Sequence, residues 1–266
     1  MKKIAVVLRG HKRTWDFTKS HMFQFFEQMG CRVDYYVSLW NTPSVDQEQL
    51  TQDFVGKNLK ALIITDTSTE FSNPWLGPAY LSNLVSGHIF QEEYISRENY
   101  DMIFDTRPDV AFELLTNNKP LFCPKMAVGT TRVEPVVVDN GGGGVWQGLD
   151  DHCFIMDSAT HVIWNQRFRF VHHLQYYFPI PCGNHSMLWE YARIHNIDSY
   201  VIPWFNCELV RPSIIEIEDP IFYNRSNLGR NLWNIASSEE RRKFVVDAGI
   251  GEHDYAESIQ TYTFNG

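Results

Sequence analysis

The segment richest in chemistry is Tyr100-Asp101-Met102-Ile103-Phe104-Asp105-Thr106-Arg107-Pro108-Asp109-Val110. A largely apolar run closes and at once presents Asp105, Arg107 and Asp109. Pro108 restricts φ and removes a backbone donor, which stiffens the turn. A carboxylate at such a strand end can bind Mg²⁺ or Mn²⁺, hard ions that combine a few protein oxygens with those of a diphosphate. The same spacing equally fits a turn-capping Asp109 with Arg107 as its ion-pair partner. A second chemical signal is Gly141 to Gly144, a run of very high backbone entropy followed by Trp146. Its residues predict a loop, either a lid that lays an aromatic ring over a ligand and excludes water or a plain exposed connection.

These groups need a scaffold, and the hydrophobic pattern supplies one. Ile4–Leu8 is a short continuous apolar run, as expected of a strand buried on both faces. Thr14–Met29 has helical spacing through Phe17, Met22, Phe25, Phe26 and Met29, with Thr14 placed to cap it and Gly30 to stop it. Further strands are predicted at Val33–Trp40, Leu59–Thr65, Tyr100–Thr106, Pro135–Val138, Leu149–Met156 and Ser199–Phe205. Helices are predicted near Asp46–Gly56 and at Ala79–Tyr94, Ser158–Phe170, Asn184–His195 and Ser238–Ala248. Strands alternating with helices predict a three-layer α/β/α domain with a mostly parallel sheet, whose ligands bind at the carboxyl ends of the strands. The expected organisation is one domain over 1–212, with 213–266 a short C-terminal extension packed on it.

Composition narrows the function. With 44% hydrophobic and 21% charged residues the chain has an ordinary globular balance. The 266 residues suffice for one sizeable core. A net charge of −9 argues against a protein that mainly grips nucleic acid by its phosphates. An acidic protein that binds anionic ligands needs local cations or a metal. Cys31, Cys123, Cys153, Cys182 and Cys207 are odd in number and form no CxxC pair, so they read as reduced thiols of a cytoplasmic protein. The apolar run after Met1-Lys2-Lys3 is too short for a signal peptide, and no stretch approaches the roughly 20 apolar residues of a membrane span. His172-His173 beside Arg167 and Arg169 reads as a polar helix end.

The motif Tyr100-Asp101 through Arg107-Pro108-Asp109 resembles the strand-end acidic motif of GT-A-type glycosyltransferases, particularly a bacterial and viral group linked to lipopolysaccharide and surface-glycan synthesis. Three further segments are similar to that group over roughly residues 3–212: Ile4 through Trp15 with its Gly10-His11-Lys12-Arg13-Thr14 turn, Asp150 through Met156, and Gly183 through Ala192. The resemblance implies a Rossmann-like GT-A fold and a nucleotide-sugar donor, most simply a UDP-sugar. It implies Asp109 as ligand of Mn²⁺ or Mg²⁺, with Asp105 a second ligand or donor contact and Arg107 steadying the donor or the loop. Arg9, Gly10, Arg13 and Thr14 would line the nucleotide, Arg13 near phosphate, because a guanidinium fork matches phosphate oxygens. Asp151, and less so Asp150, would be the general base that deprotonates an acceptor hydroxyl, since adjacent residues of an extended segment face opposite ways. Trp146 and His185 complete the expected donor site, His185 at a helix N-terminus suited to anions and as an additional metal ligand. The implied acceptor is a glycan, with a modified base of phage DNA as an alternative. A non-catalytic sugar- or nucleotide-binding module is the competing class, and a metal-dependent hydrolase a weaker one.

Overall fold

A computed structural model describes residues 1–43, 45–66, 76–116, 123–131, 133–138, 144–169, 184–210, 212–213 and 221–222. The first half alternates strictly: β1 (Lys3–Gly10), α1 (Trp15–Gln28), β2 (Arg32–Asn41), α2 (Gln47–Asp53), β3 (Asn58–Asp66), α3 (Leu76–Ser96) and β4 (Met102–Thr106). Then follow β5 (Val110–Leu114), β6 (Ala127–Thr130), β7 (Val133–Val138), β8 (Gly144–Leu149), β9 (Cys153–Met156), α4 (Ser158–Trp164), α5 (Asn184–Ile194), β10 (Asp198–Val201), β11 (Phe205–Leu209), β12 (Pro212–Ser213) and β13 (Ile221–Phe222).

The main sheet has seven strands in the order β10-β6-β9-β4-β1-β2-β3. Its pairs are parallel except those of β9, which runs antiparallel to both β4 and β6. The expected α/β class with a mostly parallel, three-layer arrangement is what forms. Residues 4 to 8 of β1 are all buried, because the strand is covered on both faces. On one face Trp15, Met22, Phe25 and Phe26 of α1 pack with Leu50 of α2 and with Phe112 and Phe205 of the separate β5–β11 pair. On the other, Val85 and Ile89 of α3, Trp164 of α4 and Leu188 and Tyr191 of α5 cover Ala5, Val7 and Ile103.

Several elements differ from expectation for definable reasons. Thr14 precedes α1, but its hydroxyl makes no capping bond; its carbonyl instead accepts from the amides of Phe17 and Thr18. Gly30 stops the helix with φ of 66°, a left-handed conformation that favours glycine. The expected strand Leu149–Met156 is two strands broken by the polar turn Asp150-Asp151-His152. The expected strand Ser199–Phe205 is likewise two, β10 and β11, parted at Pro203, which has no N–H for a ladder. The helix expected at Ser158–Phe170 is α4, ending at Trp164; Asp157 caps it by accepting from the Thr160 amide at 2.8 Å. Cys31, Cys123, Cys153 and Cys207 are free thiols. Among the described residues no helix is long and apolar enough to cross a membrane. Gly141 to Gly143, Cys182, His172-His173 and the helix expected at Ser238–Ala248 lie outside the described residues.

Candidate active site at the carboxyl edge of the sheet

From β1 the chain first builds outward through β2 and β3, then crosses back over α3 to place β4 on the other side of β1. The carboxyl ends of β1 and β4 therefore flank a topological switch point, where open α/β sheets bind ligands. The turn after β1 is Gly10 to Thr14, and the turn after β4 is Arg107-Pro108-Asp109. Gly10 has φ of 129°, and a methyl built on it would lie 3.9 Å from Pro108 Cδ, so the two turns run close together. Thr18 of α1 ties them further by donating its hydroxyl to the Pro108 carbonyl. Arg13 also sits in the left-handed region, at φ 35°, unusual for a residue with a side chain.

The antiparallel strand adds a third turn to this edge. Because β9 pairs Cys153 with Thr106, its entry lies beside the exit of β4, and Asp150-Asp151-His152 arrive at the same edge. Three consecutive carbonyls of this turn are each held by a side chain from a different strand. Thr130 of β6 donates to the Asp150 carbonyl at 3.1 Å, Arg9 of β1 to the Asp151 carbonyl at 2.9 Å, and Thr106 of β4 to the His152 carbonyl at 2.9 Å.

The side chains meet across the three turns. Arg107 grips Asp109 through two bonds, Nε to Oδ1 at 3.0 Å and Nη2 to Oδ2 at 3.1 Å. Its Nη1 lies 3.8 Å from Asp151 Oδ2, and Arg13 Nη1 lies 4.0 Å from Asp109 Oδ2. Burial works against the Arg107 charge, but Asp109 and then Asp151 outweigh it and raise its pKa. Asp150 accepts from the His152 amide and from the Thr131 hydroxyl, both at 3.2 Å, and stands 3.1 Å from His152 Nδ1. Burial alone would raise its pKa; His152 outweighs that and lowers it. Ligand atoms of Asp150, Asp151 and His152 lie within 4.8 Å of one another, a set that could hold a metal ion. His11 is also here. Burial first, and then Arg13, press its pKa down to about 4 against the pull of Asp109, so it is neutral at pH 7.

Asp105 is placed differently. It shares a sheet face with Ile103, not with Thr106, and is 0% exposed beneath α3. Arg9 Nε bonds Oδ1, Arg167 Nη2 bonds Oδ2 at 2.7 Å, and the Ser82 hydroxyl approaches both oxygens at 3.1 and 3.0 Å. Burial alone would raise the Asp105 pKa, but the two arginines lower it. The roles expected of Asp105 as metal ligand and of Arg9 as donor contact do not fit this placement, because the two side chains engage each other in the interior. The Thr14 side chain is buried as well. Trp146 stands on β8 opposite Val136 and His185 in the first turn of α5; their side chains are outside what the structure describes.

The sequence pattern singles out neither His11 and His152 at this edge nor Arg167 in the interior beside Asp105. His152 had a signal, since it completes a polar triplet inside an apolar run. Arg167 had none, because its partner Asp105 is 62 residues away.

No protein-family model matches the chain, and no curated protein is similar to it in sequence. Among solved structures it is similar to a glycosyltransferase involved in the glycosylation of the major capsid of PBCV-1, at 10% identity and a TM-score of 0.40, covering 76% of this chain and 81% of that one. It is also similar to the PaToxG glycosyltransferase, at 12% identity and a TM-score of 0.37, covering 74% of this chain and 69% of that one.

Proposed function

We propose that the protein transfers a glycosyl group from a nucleotide-sugar donor to an acceptor hydroxyl, with a divalent metal ion as cofactor. The observation that carries this reading is the convergence of Arg13, Arg107, Asp109, Asp150 and Asp151 from three separate turns at the switch point of the sheet. Guanidinium groups suit the oxygens of a diphosphate. A rigidly held carboxylate suits the removal of a hydroxyl proton. Three of the four segments that resemble GT-A-type glycosyltransferases, those beginning at Ile4, Tyr100 and Asp150, form these turns.

The charges also bear on the metal. Three carboxylates against two guanidiniums leave the cluster formally at −1, with His11 neutral. An anionic diphosphate needs an added cation there. Oxygen ligands with one imidazole suit Mg²⁺ or Mn²⁺. In this reading Asp109 is the protein ligand, and the ion neutralises charge on the departing diphosphate when bound. The close set of Asp150, Asp151 and His152 supports a second reading, in which those residues hold the ion instead. Arg13 supports the phosphates. Asp151 takes the proton of the acceptor hydroxyl as its oxygen attacks the anomeric carbon. The acceptor of this proposal is a glycan; the net charge of −9 disfavours DNA.

The test is thermal stability against UDP-, GDP-, dTDP- and CMP-sugars, with and without Mn²⁺. One nucleotide at about 100 times its Kd stabilises by about 2.7 kcal/mol, or roughly 5–10 °C, and only when metal is present. Loss of that metal dependence in Asp109→Asn, but not in Asp150→Asn, supports Asp109; the reverse supports the Asp150 set. No shift with any donor overturns the donor reading.

A further inference from the structure

We infer that Arg9 is a positioning residue for Asp151, acting through the backbone of the turn that carries it. This rests on the glycosyl-transfer reading for the role of Asp151, while the hold on the turn stands on the geometry. Arg9 is 1% exposed, and two of its nitrogens have defined work. Nε bonds Asp105, and Nη2 donates to the Asp151 carbonyl across 142 residues of chain. Nη1 has no hydrogen-bond partner among the described residues. The guanidinium thus joins a saturated interior carboxylate to the backbone of a turn at the sheet edge.

The turn depends on such bonds because it has few of its own. It interrupts what would otherwise be one strand, so the Asp150, Asp151 and His152 carbonyls lose their ladder partners. Thr130, Arg9 and Thr106 replace them one for one. The Arg9 bond lies in the middle and is the one made by a charged group, which makes it the strongest of the three. Asp105 holds Arg9 in turn, so the position of the Asp151 backbone is referred to β4, while Arg167 reaches the same carboxylate without touching the turn. Misplacing a catalytic group by about 1 Å costs on the order of 100-fold in rate.

Arg167 provides an internal control. It is equally buried, bonds the same Asp105, and gives its Nη1 to a backbone carbonyl at 3.1 Å, but that carbonyl belongs to Trp164. Arg9→Lys and Arg167→Lys each keep a positive charge near Asp105 and each lose the fork that reaches a second acceptor. The experiment compares the two in the full chain by Tm, by kcat and donor Kd for transfer, and by amide hydrogen exchange at residues 150–153. Both variants lower Tm. Arg9→Lys alone lowers kcat, by about 10- to 100-fold at an unchanged donor Kd, and alone speeds exchange in the turn by at least about 10-fold. Equal exchange and equal kcat in the two variants overturn the proposal. If Arg9→Lys fails to fold, Arg9→Gln, which keeps one side-chain donor but loses the reach to the Asp151 carbonyl, takes its place, and unchanged exchange at residues 150–153 in that variant overturns the proposal. Faster exchange in Arg9→Lys from a wild-type chain that transfers no sugar overturns the glycosyl-transfer reading while the hold on the turn stands.

Discussion

Replacing Asp105 by Asn separates an interior role from a metal-binding one. The carboxylate is 0% exposed and accepts from Arg9, Arg167 and Ser82, so two buried guanidiniums share one counter-ion. Asn keeps the shape, halves the acceptor oxygens and removes the charge, leaving both arginines uncompensated. Removing one partner of a buried ion pair costs about 3–5 kcal/mol. At roughly 2–4 °C per kcal/mol for a chain of this size, Tm falls by about 6–20 °C. The effect has a defined pH dependence. The folded pKa of Asp105 is lowered, so its contribution is complete above the ordinary carboxylate pKa and fades as pH drops through the folded value. The Tm gap between wild type and Asp105→Asn is therefore largest near neutrality and narrows in acid. Differential scanning calorimetry from pH 3 to 8 measures it, with Mn²⁺ titration of both proteins alongside. A Tm within about 2 °C of wild type, together with lost Mn²⁺ binding, would refute the argument and return Asp105 to the metal-ligand role that its place in the sequence suggests.

Asp151→Asn should keep the fold and the donor Kd while lowering kcat for transfer by about 10²–10⁴-fold, the range for loss of a general base; an unchanged kcat in steady-state assays removes Asp151 from the chemistry. Gly10→Ala meets no atom closer than 3.9 Å, so its penalty is backbone strain at φ 129°, about 1–3 kcal/mol in a denaturant titration, and a cost near zero would show that the turn relaxes. Acid should destabilise the protein through its histidines. His11 and His161 have folded pKa values of about 4 and about 3, both below the unfolded 6.5, so the unfolded chain binds more protons in between and stability falls as pH drops from 6.5 towards those values. His11→Gln should flatten the slope of Tm against pH between 6.5 and 4, and an unchanged slope would contradict the partial burial of His11 beside Arg13.

The first half of the fold was legible because its patterns are local. Ile4–Leu8 is apolar throughout, and α1 has helical spacing with a glycine stop. The rest depends on partners far along the chain. β6 is only Ala127-Val128-Gly129-Thr130, short and carrying a glycine, and it exists because β9 and β10 pair with it. Its glycine has a reason that no local pattern displays: a methyl there would come within 2.7 Å of the Tyr200 ring. At the site, the spacing of Arg107 and Asp109 allowed both an ion pair and a metal ligand, and the structure shows the pair. The interior placement of Asp105 follows from strand alternation, which its closeness to Asp109 in sequence does not display. Four residues before Asp109, it lies inside β4, one residue from its end, where side chains point alternately to opposite faces, and it shares its face with Ile103. The role of Arg167 was not legible because its counter-ion Asp105 sits on another element.

The orientation of β9 explains why this edge carries so many carboxylates in fixed positions. A parallel sheet presents only strand exits at its carboxyl edge, each followed by a turn that moves into a helix. An antiparallel strand set between β4 and β6 contributes an entry at the same edge, and residues 150–152 approach the exits of β1 and β4 from the opposite direction. An entry turn in that position must satisfy its backbone from the neighbouring strands, and Thr130, Arg9 and Thr106 do so. With those carbonyls held from the sheet side, the Asp150 and Asp151 side chains are left to face each other, His152 and the Arg107–Asp109 pair. Removing the charges of the turn tests this directly. Asp150→Ser with Asp151→Ser keeps every one of the three carbonyl bonds but loses the two bonds that the buried Asp150 carboxylate accepts from His152 and Thr131, about 2 kcal/mol, so the fold should survive with Tm lower by about 4–8 °C. Transfer and metal-dependent donor stabilisation should both vanish. A double variant that unfolds instead would mean that the carboxylates, and not the three bonds beneath them, hold the turn.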